Sequence, residues 1–311
     1  MAGTAVTATM TPASNKTGQC ATATRKFRIS DIPAAMDKMK WPTSAALMRH
    51  WFAGKPWSTP DGGMDDLTKG HRKEVPEQYI EDSIVKMSWL ITYERANEYL
   101  VKLRALWNSP NGQKQIGAAI RREYQDKPDG KYPIKFEGKA RAAEKFGYSN
   151  TMPVTMSQLR IDVLDDLRGA LANFNLRVIA EGEVVIVSKK IDFVVSRLGF
   201  YVEDSYDFGD GSDWFSQPLG FWNFDGTVIP PEAIARNVSI NSNETAMVES
   251  GVMDPADVAE IFKELEGTRF YLVQNSDFVE YRQCHGKGGD FRVFSDILYE
   301  NITPTTIAIS G

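Results

Sequence analysis

Apolar residues recur with a helical period in the first half of this chain and with a strand-like period in the second. In "ERANEYLVKLRALW", Ala96, Tyr99, Leu100, Leu103, Leu106 and Trp107 fall three and four positions apart, on one helix face. "SPNGQKQIGAAIRREY" starts a further helix after a Pro-Asn-Gly break, with Ser109 as its cap. Asp31 is expected to cap a short helix that has Pro33 in its first turn, and Pro42 lies past its end. "TSAALMRHWF" gives another helix with Leu47, Met48, Trp51 and Phe52 on one side, and "GKARAAEKFGY" one more. "SIVKMSWLITY" fits a strand or a buried helix equally well.

The period then changes. Phe174, Leu176, Val178 and Ala180 alternate with polar neighbours, a turn is expected at Glu181–Gly182, and Val184–Val187 forms the return strand. "KKIDFVVSRLGFYVEDSYDF" continues the alternation with β-branched and aromatic residues. A helix over 255–265 capped by Asp254, a strand "RFYLVQ", a short helix "SDFVEYRQCH" and closing strands around "FRVFSDILY" and "TPTTIAIS" complete the expected elements. The fold class read from this order is α+β: a helix-rich N-terminal half, then an antiparallel, partly barrel-like β-sheet with short helices. Residues 1–25, rich in Thr, Ala and Ser, read as a flexible leader, 26–155 as the α-rich region, and 156–311 as a β-rich catalytic domain.

Composition narrows the class. With 42% hydrophobic and 25% charged residues the 311-residue chain reads as an ordinary globular protein, and its net charge of −5 argues against nucleic-acid binding. No apolar run approaches the ~18 residues of a membrane span. The two cysteines, Cys20 and Cys284, lie far apart with no zinc spacing, and no structural disulfide is expected. The N-terminus is small and polar, unlike a secretory signal, so synthesis in a cytoplasm is expected, with export only by a signal-independent route.

Two segments carry candidate chemistry. "FYVEDSYDFGDGSDWF" brings Asp204, Asp207, Asp210 and Asp213 together at the end of a strand pattern. Asp204 and Tyr206 share one strand face and Asp207 the other, but a bend at Asp207 makes the two carboxylates converge, able to hold a divalent cation or orient a water. Asp210 and Asp213 flank Gly211 and read as turn formers. In "EYRQCHGKGGDFRVFSD", Tyr281, Arg282, His285 and Lys287 precede a glycine turn whose amides are expected to be open to an anion. The plainer account of that segment, a helix C-terminus followed by a tight turn, is favoured on sequence grounds. Of the three histidines, His50 reads as a packing or surface residue and His71 as part of a solvated loop.

"IPAAMDKMKWPTSAALMRHWF", "DDLRGALANFNLRV", "RLGFYVEDSYDF" with "QPLGFWN", and "YRQCHGKGGDFRVFSD" resemble the recurring blocks of a bacterial family encoded near type VI secretion spike genes. That resemblance implies an antibacterial effector or its cargo, with a spike protein or adaptor and a cognate immunity protein as partners. Locally, "DSYDF" at 204–208 resembles the Asp-x-Tyr-Asp core of colicin M-type bacteriocins, which use magnesium to cleave lipid II between the lipid and its pyrophosphate. Where that family has a downstream His-Arg pair, this chain has Asp213–Trp214. The resemblance therefore implies Asp204 and Asp207 as Mg2+ ligands or water-orienting groups, Tyr206 beside a phosphate oxygen or beneath the site, and His285 as general acid or base. Arg282 and Lys287 would neutralise phosphate charge, and Trp214, Phe215, Phe221 and Trp222 would offer an apolar ledge, although core packing is the better account of Trp222.

The expected function is a secreted type VI effector that hydrolyses a phosphoester or pyrophosphate linkage of lipid II in the target-cell periplasm. The alternative is a non-enzymatic adaptor or cargo-binding protein docking on a spike or toxin. The lack of a long apolar hairpin counts against a pore former.

Overall fold

The computed structural model describes residues 27–57, 63–65, 68, 74–155, 163–209, 218–228 and 269–309. In chain order the first half contains α1 (Ile32–Lys38), α2 (Pro42–Ala53), β1 (Ile80–Glu81), α3 (Met87–Leu90), α4 (Glu94–Leu106), α5 (Pro110–Tyr124), β2 (Gly130–Ile134), α6 (Ala140–Phe146) and β3 (Asn150–Val154). The second contains α7 (Asp166–Leu171), β4 (Phe174–Val187), β5 (Lys190–Tyr206), β6 (Pro218–Asn223), β7 (Gly226–Val228), β8 (Tyr271–Gln274), α8 (Asn275–His285), β9 (Phe291–Phe294) and β10 (Leu298–Ile309). The fold is α+β, built on a curled half-barrel sheet. The expected helix over 255–265 lies outside the described residues.

The sheet grows from one long hairpin. β4 and β5 pair from Asn175↔Glu203 out to Val187↔Lys190. The turn falls at Ser188–Lys189, both at positive φ (49° and 66°), the two-residue geometry that matches strand twist. It does not fall at Glu181–Gly182, where the sequence placed it. There β4 runs on through a register shift, and a Cβ on Gly182 would lie 2.0 Å from the Val194 carbonyl oxygen. Close approach of two strands, not a turn, is what requires that glycine.

β2 and β3 pair with successive stretches of β4, while β10 and β9 pair with successive stretches of β5. β1 adds in parallel to β9. Strands from both sides of the 155/156 division thus share one sheet. A separate antiparallel sheet, β7-β6-β8, stands beside it.

The helices form for local reasons and hold through buried faces. Ala96, Leu100 and Leu103 of α4 are buried as their spacing predicts, and α4 packs on β3 and β4. Ser109 Oγ accepts the Gly112 amide at 3.2 Å, capping α5. Asp31 behaves differently: its carboxylate takes the Arg28 amide at 2.8 Å and closes a 3-10 turn ahead of α1, with no cap bond to the helix itself. The ambiguous "SIVKMSWLITY" becomes the single-turn α3 between irregular segments. α2 starts at Pro42 and is capped from far away, because Asp166 of α7 accepts the Thr43 and Ser44 amides at 3.1 and 2.8 Å. No helix among the described residues is long and apolar enough to cross a membrane.

Cys284 is disulfide-bonded, against the sequence expectation; the chain's other cysteine, Cys20, lies outside the described residues.

Candidate functional site

Alternation along β5 divides its last residues between two environments. Val202, Asp204 and Tyr206 share the face that carries Phe291 and Val293 across the pairing with β9. Glu203 shares the opposite face with Tyr201. The strand ends at Tyr206, so Asp207 is freed from the alternation and lines the same cavity as Asp204 and Tyr206. That convergence is the one the sequence made conditional on a bend at Asp207.

The cavity has a volume of about 550 Å³. It lies between α1, α2 and α7 on one side and the β6–β8 sheet with the start of α8 on the other. Its walls are mostly apolar. Trp41 and Trp222 meet edge-to-face at 6.3 Å, with Met36, Met48, Phe221 and Leu272 around them. The polar side chains of the lining are Asp204, Ser205, Tyr206, Asp207, Arg168, Asn173, Thr227 and Asn275. Arg168 is the one cationic side chain among the described lining residues.

Asp204 is partly accessible through the cavity yet ringed by protein. Burial pushes its carboxyl well above the ordinary range and the charges of Glu203 and Asp207 add to the rise, while the Ser205 amide at 2.8 Å opposes it. Tyr206 packs rather than reaches. Its ring stacks on Phe291 at 5.0 Å, its hydroxyl points at Met48 Sδ 4.0 Å away, and burial raises its phenol. Asn275, at the first turn of α8, is buried, and its Nδ2 donates to Gly209 O at 3.3 Å. Its Oδ1 has no hydrogen-bond partner.

The second predicted segment is near, but it is used otherwise. Asp290, 6% exposed, accepts from Trp51 Nε1 at 2.9 Å, the Phe208 amide at 3.3 Å and the Arg282 guanidinium at 2.5 Å. Arg282 also donates to Gly288 O at 2.9 Å and covers the Trp51 ring. It is a strut between α8 and α2 and does not line the cavity. The glycine amides expected to meet an anion are already bonded: Gly286 to Arg282 O, Gly288 to Gly54 O, and Gly289 to Trp51 O. Tight packing accounts for Gly288 and Gly289, where a Cβ would lie 2.4 Å from the Trp51 ring and from Lys55 O respectively, whereas Gly286 is the left-handed cap of α8 at φ 59°.

His285 ends α8 in an exposed position beside Tyr281, and Lys287 is exposed. Both sit at the far end of a helix whose first residue lines the cavity, about 15 Å along its axis at ~1.5 Å per residue. Neither lines the cavity. Trp214, Phe215, Asp210, Asp213 and His71 lie outside the described residues. Phe221 and Trp222 line the cavity, with Trp222 otherwise buried. His50 packs edge-on against Phe291 with Nδ1 3.8 Å from Glu81.

Oxygen donors suit a hard cation such as Mg2+, and the cavity offers the carboxyl groups of Asp204 and Asp207. Among the described residues no cluster of three or more His, Cys, Asp or Glu side chains could hold a metal, so carboxylates alone do not complete a shell.

Sequence reading missed the charged network behind β5. On the face opposite the cavity, Glu203 bonds Arg177 Nη2 and Arg292 Nε, each at 2.9 Å, and Glu144 of α6 bonds Tyr201 Oη at 2.6 Å. Burial, with the charge of Glu144 adding to it, pushes Glu203 up to about 7 despite the Arg177 guanidinium, and burial lowers Arg292 to about 10. The hydrogen bonds among these four side chains offset the cost of burying them in the sheet. Arg168 and Asn275 were also missed. Neither residue belongs to a spacing motif; each reaches the cavity by where its helix docks.

The chain belongs to a family of unknown function, DUF6402, which it matches over residues 27–309. No curated protein and no solved structure matches it.

Proposed function

We propose that this member of a family of unknown function is a secreted hydrolase toxin, exported by a type VI route and acting on a lipid-linked cell-wall precursor in the target periplasm. The observation that carries the reading is the polar group of Asp204, Asp207 and Arg168 on the wall of an otherwise apolar cavity. An apolar chain would lie against Trp41, Trp222 and Phe221, leaving the scissile head at the polar end. Asp207 would orient the attacking water, while Asp204, held protonated by burial, would serve as the proton donor to the leaving group. Arg168 takes the role that the resemblance implied for Arg282 and Lys287, meeting the charge on a phosphate oxygen. Mg2+, which when bound supplies positive charge to a phosphoryl oxygen, would be held by Asp207 and by Asp204 in its ionised form, as an alternative to the proton-donor role of Asp204.

The test is growth of a susceptible bacterium with the protein directed to its periplasm, alongside release of the pyrophosphorylated head from extracted lipid II. Asp207→Ala and Arg168→Ala are expected to abolish both effects, while His285→Ala, changed outside the cavity, retains them. An inactive His285→Ala variant of normal stability would overturn this assignment of roles. The absence of a histidine from the described cavity lining favours a second reading, a non-enzymatic adaptor docking on a spike or toxin. No toxicity in the periplasm or the cytoplasm would sink the toxin reading and leave the adaptor as the better account.

A further inference from the structure

We infer that Thr305–Ile309, the last stretch of β10, is an interface at which a second copy of this chain adds its own β10 antiparallel, making one continuous sheet across a two-fold axis at Ile307. The inference does not depend on the cavity or on any reaction there. Thr305 pairs with Val195, nine positions along β5 from Asp204, so the two sites lie roughly 30 Å apart along the strand at ~3.3 Å per residue.

The main sheet ends in four outer strands, and three of them are closed to a further strand. β2 pairs with β4 through Pro133 and carries the charge of Lys131, and β3 pairs with β4 through Pro153. A proline on an edge has no N–H to offer a newcomer, and an edge lysine discourages pairing. β1 is two residues long, and its Glu81 carboxylate is turned to the amides of Ser83 and Ile84 at 2.6 and 2.7 Å.

β10 differs from these. Among the described residues β5 is its one strand partner. Its own proline, Pro304, falls in the register shift between Asn301 and Thr305, outside the paired segment. Before the shift, Glu300 carries a charge and accepts Arg104 Nε at 2.7 Å. After it, Thr-Thr-Ile-Ala-Ile has no charge, no proline and no glycine, and four of the five residues are β-branched. Along such an edge alternate N–H and C=O groups point away from β5, which is the arrangement that templates a further strand.

Self-pairing is what this segment fits. A two-fold contact sets the same patch against itself, so any charge in it would meet its like, and this patch has none. About Ile307 the antiparallel register sets that residue against its own counterpart, Thr306 against position 308 of the second copy, and Thr305 against position 309. Ile307 is 5% exposed and faces inward, while Thr306 and Ala308 are exposed on the outer face. The second copy therefore continues both faces in kind, apolar inside and small outside. A strand from an acidic or basic partner would find no opposite charge here to select it.

The experiment uses the full chain in sedimentation equilibrium from ~5 to ~200 μM, a range suited to the weak affinity of a small interface. The wild type is expected to pass from one chain to two across that range. Two double variants, Thr306→Lys with Ala308→Lys and Thr306→Glu with Ala308→Glu, change only exposed side chains and are expected to keep the wild-type melting temperature. Each alone is expected to dimerise at least ~10-fold more weakly, because position 306 of one copy faces position 308 of the other. Mixing the two in equal amounts is expected to restore dimers at least as tight as those of the wild type. A wild type that stays monomeric at ~200 μM would overturn the inference and leave the edge to a strand from another protein. Dimers unaltered in both variants, or a mixture no tighter than its separate components, would overturn it as well.

Discussion

Replacing Asp166 with alanine is expected to cost about 4 kcal/mol, because one carboxylate serves four donors. Oδ1 accepts the Ser44 amide at 2.8 Å and Ser44 Oγ at 2.7 Å; Oδ2 accepts the Thr43 amide at 3.1 Å and Trp89 Nε1 at 3.2 Å. The two amides belong to the first turn of α2, where no intrahelical acceptor exists. Ser44 is 0% exposed, so its amide cannot turn to water, while its hydroxyl keeps the backbone carbonyl of residue 166 at 2.8 Å as an acceptor. Loss of a cap alone costs ~1–2 kcal/mol, and each buried donor left unpaired adds ~1–3, with partial relaxation.

At ~2.1 cal/mol/K per residue over the folded chain, 4 kcal/mol corresponds to a fall in melting temperature of about 7 °C. Asp166→Asn keeps an acceptor at Oδ1 but presents an amide to Thr43 and Trp89, so about half of the loss is expected. Circular dichroism melts of the three proteins, checked by urea titration, measure the series. A shift below 2 °C for Asp166→Ala would show that these bonds add no net stability and that packing alone joins α2 to α7.

Other expectations follow from the same geometry. Gly288→Ala introduces a Cβ 2.4 Å from Trp51 at a φ of +96°, and is expected to destabilise by about 2–3 kcal/mol in urea melts. Arg282→Ala leaves buried Asp290 without its guanidinium and is expected to cost ~2–4 kcal/mol, whereas exposed Lys287→Ala stays within ~0.5; equal effects would contradict the strut assigned to Arg282. Glu203 keeps its proton up to about 7 when folded, against an ordinary value of 4.5. The folded state therefore binds more protons between those values, and this group's contribution to stability is lost as pH rises through that window. Wild type is expected to lose up to about 3 kcal/mol relative to Glu203→Gln from pH 4.5 to above 7, at ~1.4 kcal/mol per pKa unit. A constant difference between the two across that range would rule this out.

What the sequence determined was local. The spacing of Ala96, Leu100 and Leu103 specified α4, the Ser109 cap specified the start of α5, and the alternation from Phe174 and through Tyr206 specified the long strands, because each depends on residues a turn or a pleat apart. The convergence of Asp204 and Asp207 was legible for the same reason: it needed only the strand to end at Tyr206.

Tertiary structure decided the rest. It moved the hairpin turn to Ser188–Lys189, because registry with Val194 and not local turn preference fixed where Gly182 was needed. It turned Arg282, Gly288 and Gly289 from an expected anion site into packing against the C-terminal end of α2, because their partners Trp51 and Gly54 lie over two hundred positions away in the chain. It brought Arg168 and Asn275 to one cavity, and buried Arg177, Glu203 and Arg292 behind it, through contacts between distant segments. Periodicity reports which face of an element is buried, while the partner that face meets depends on how the elements dock.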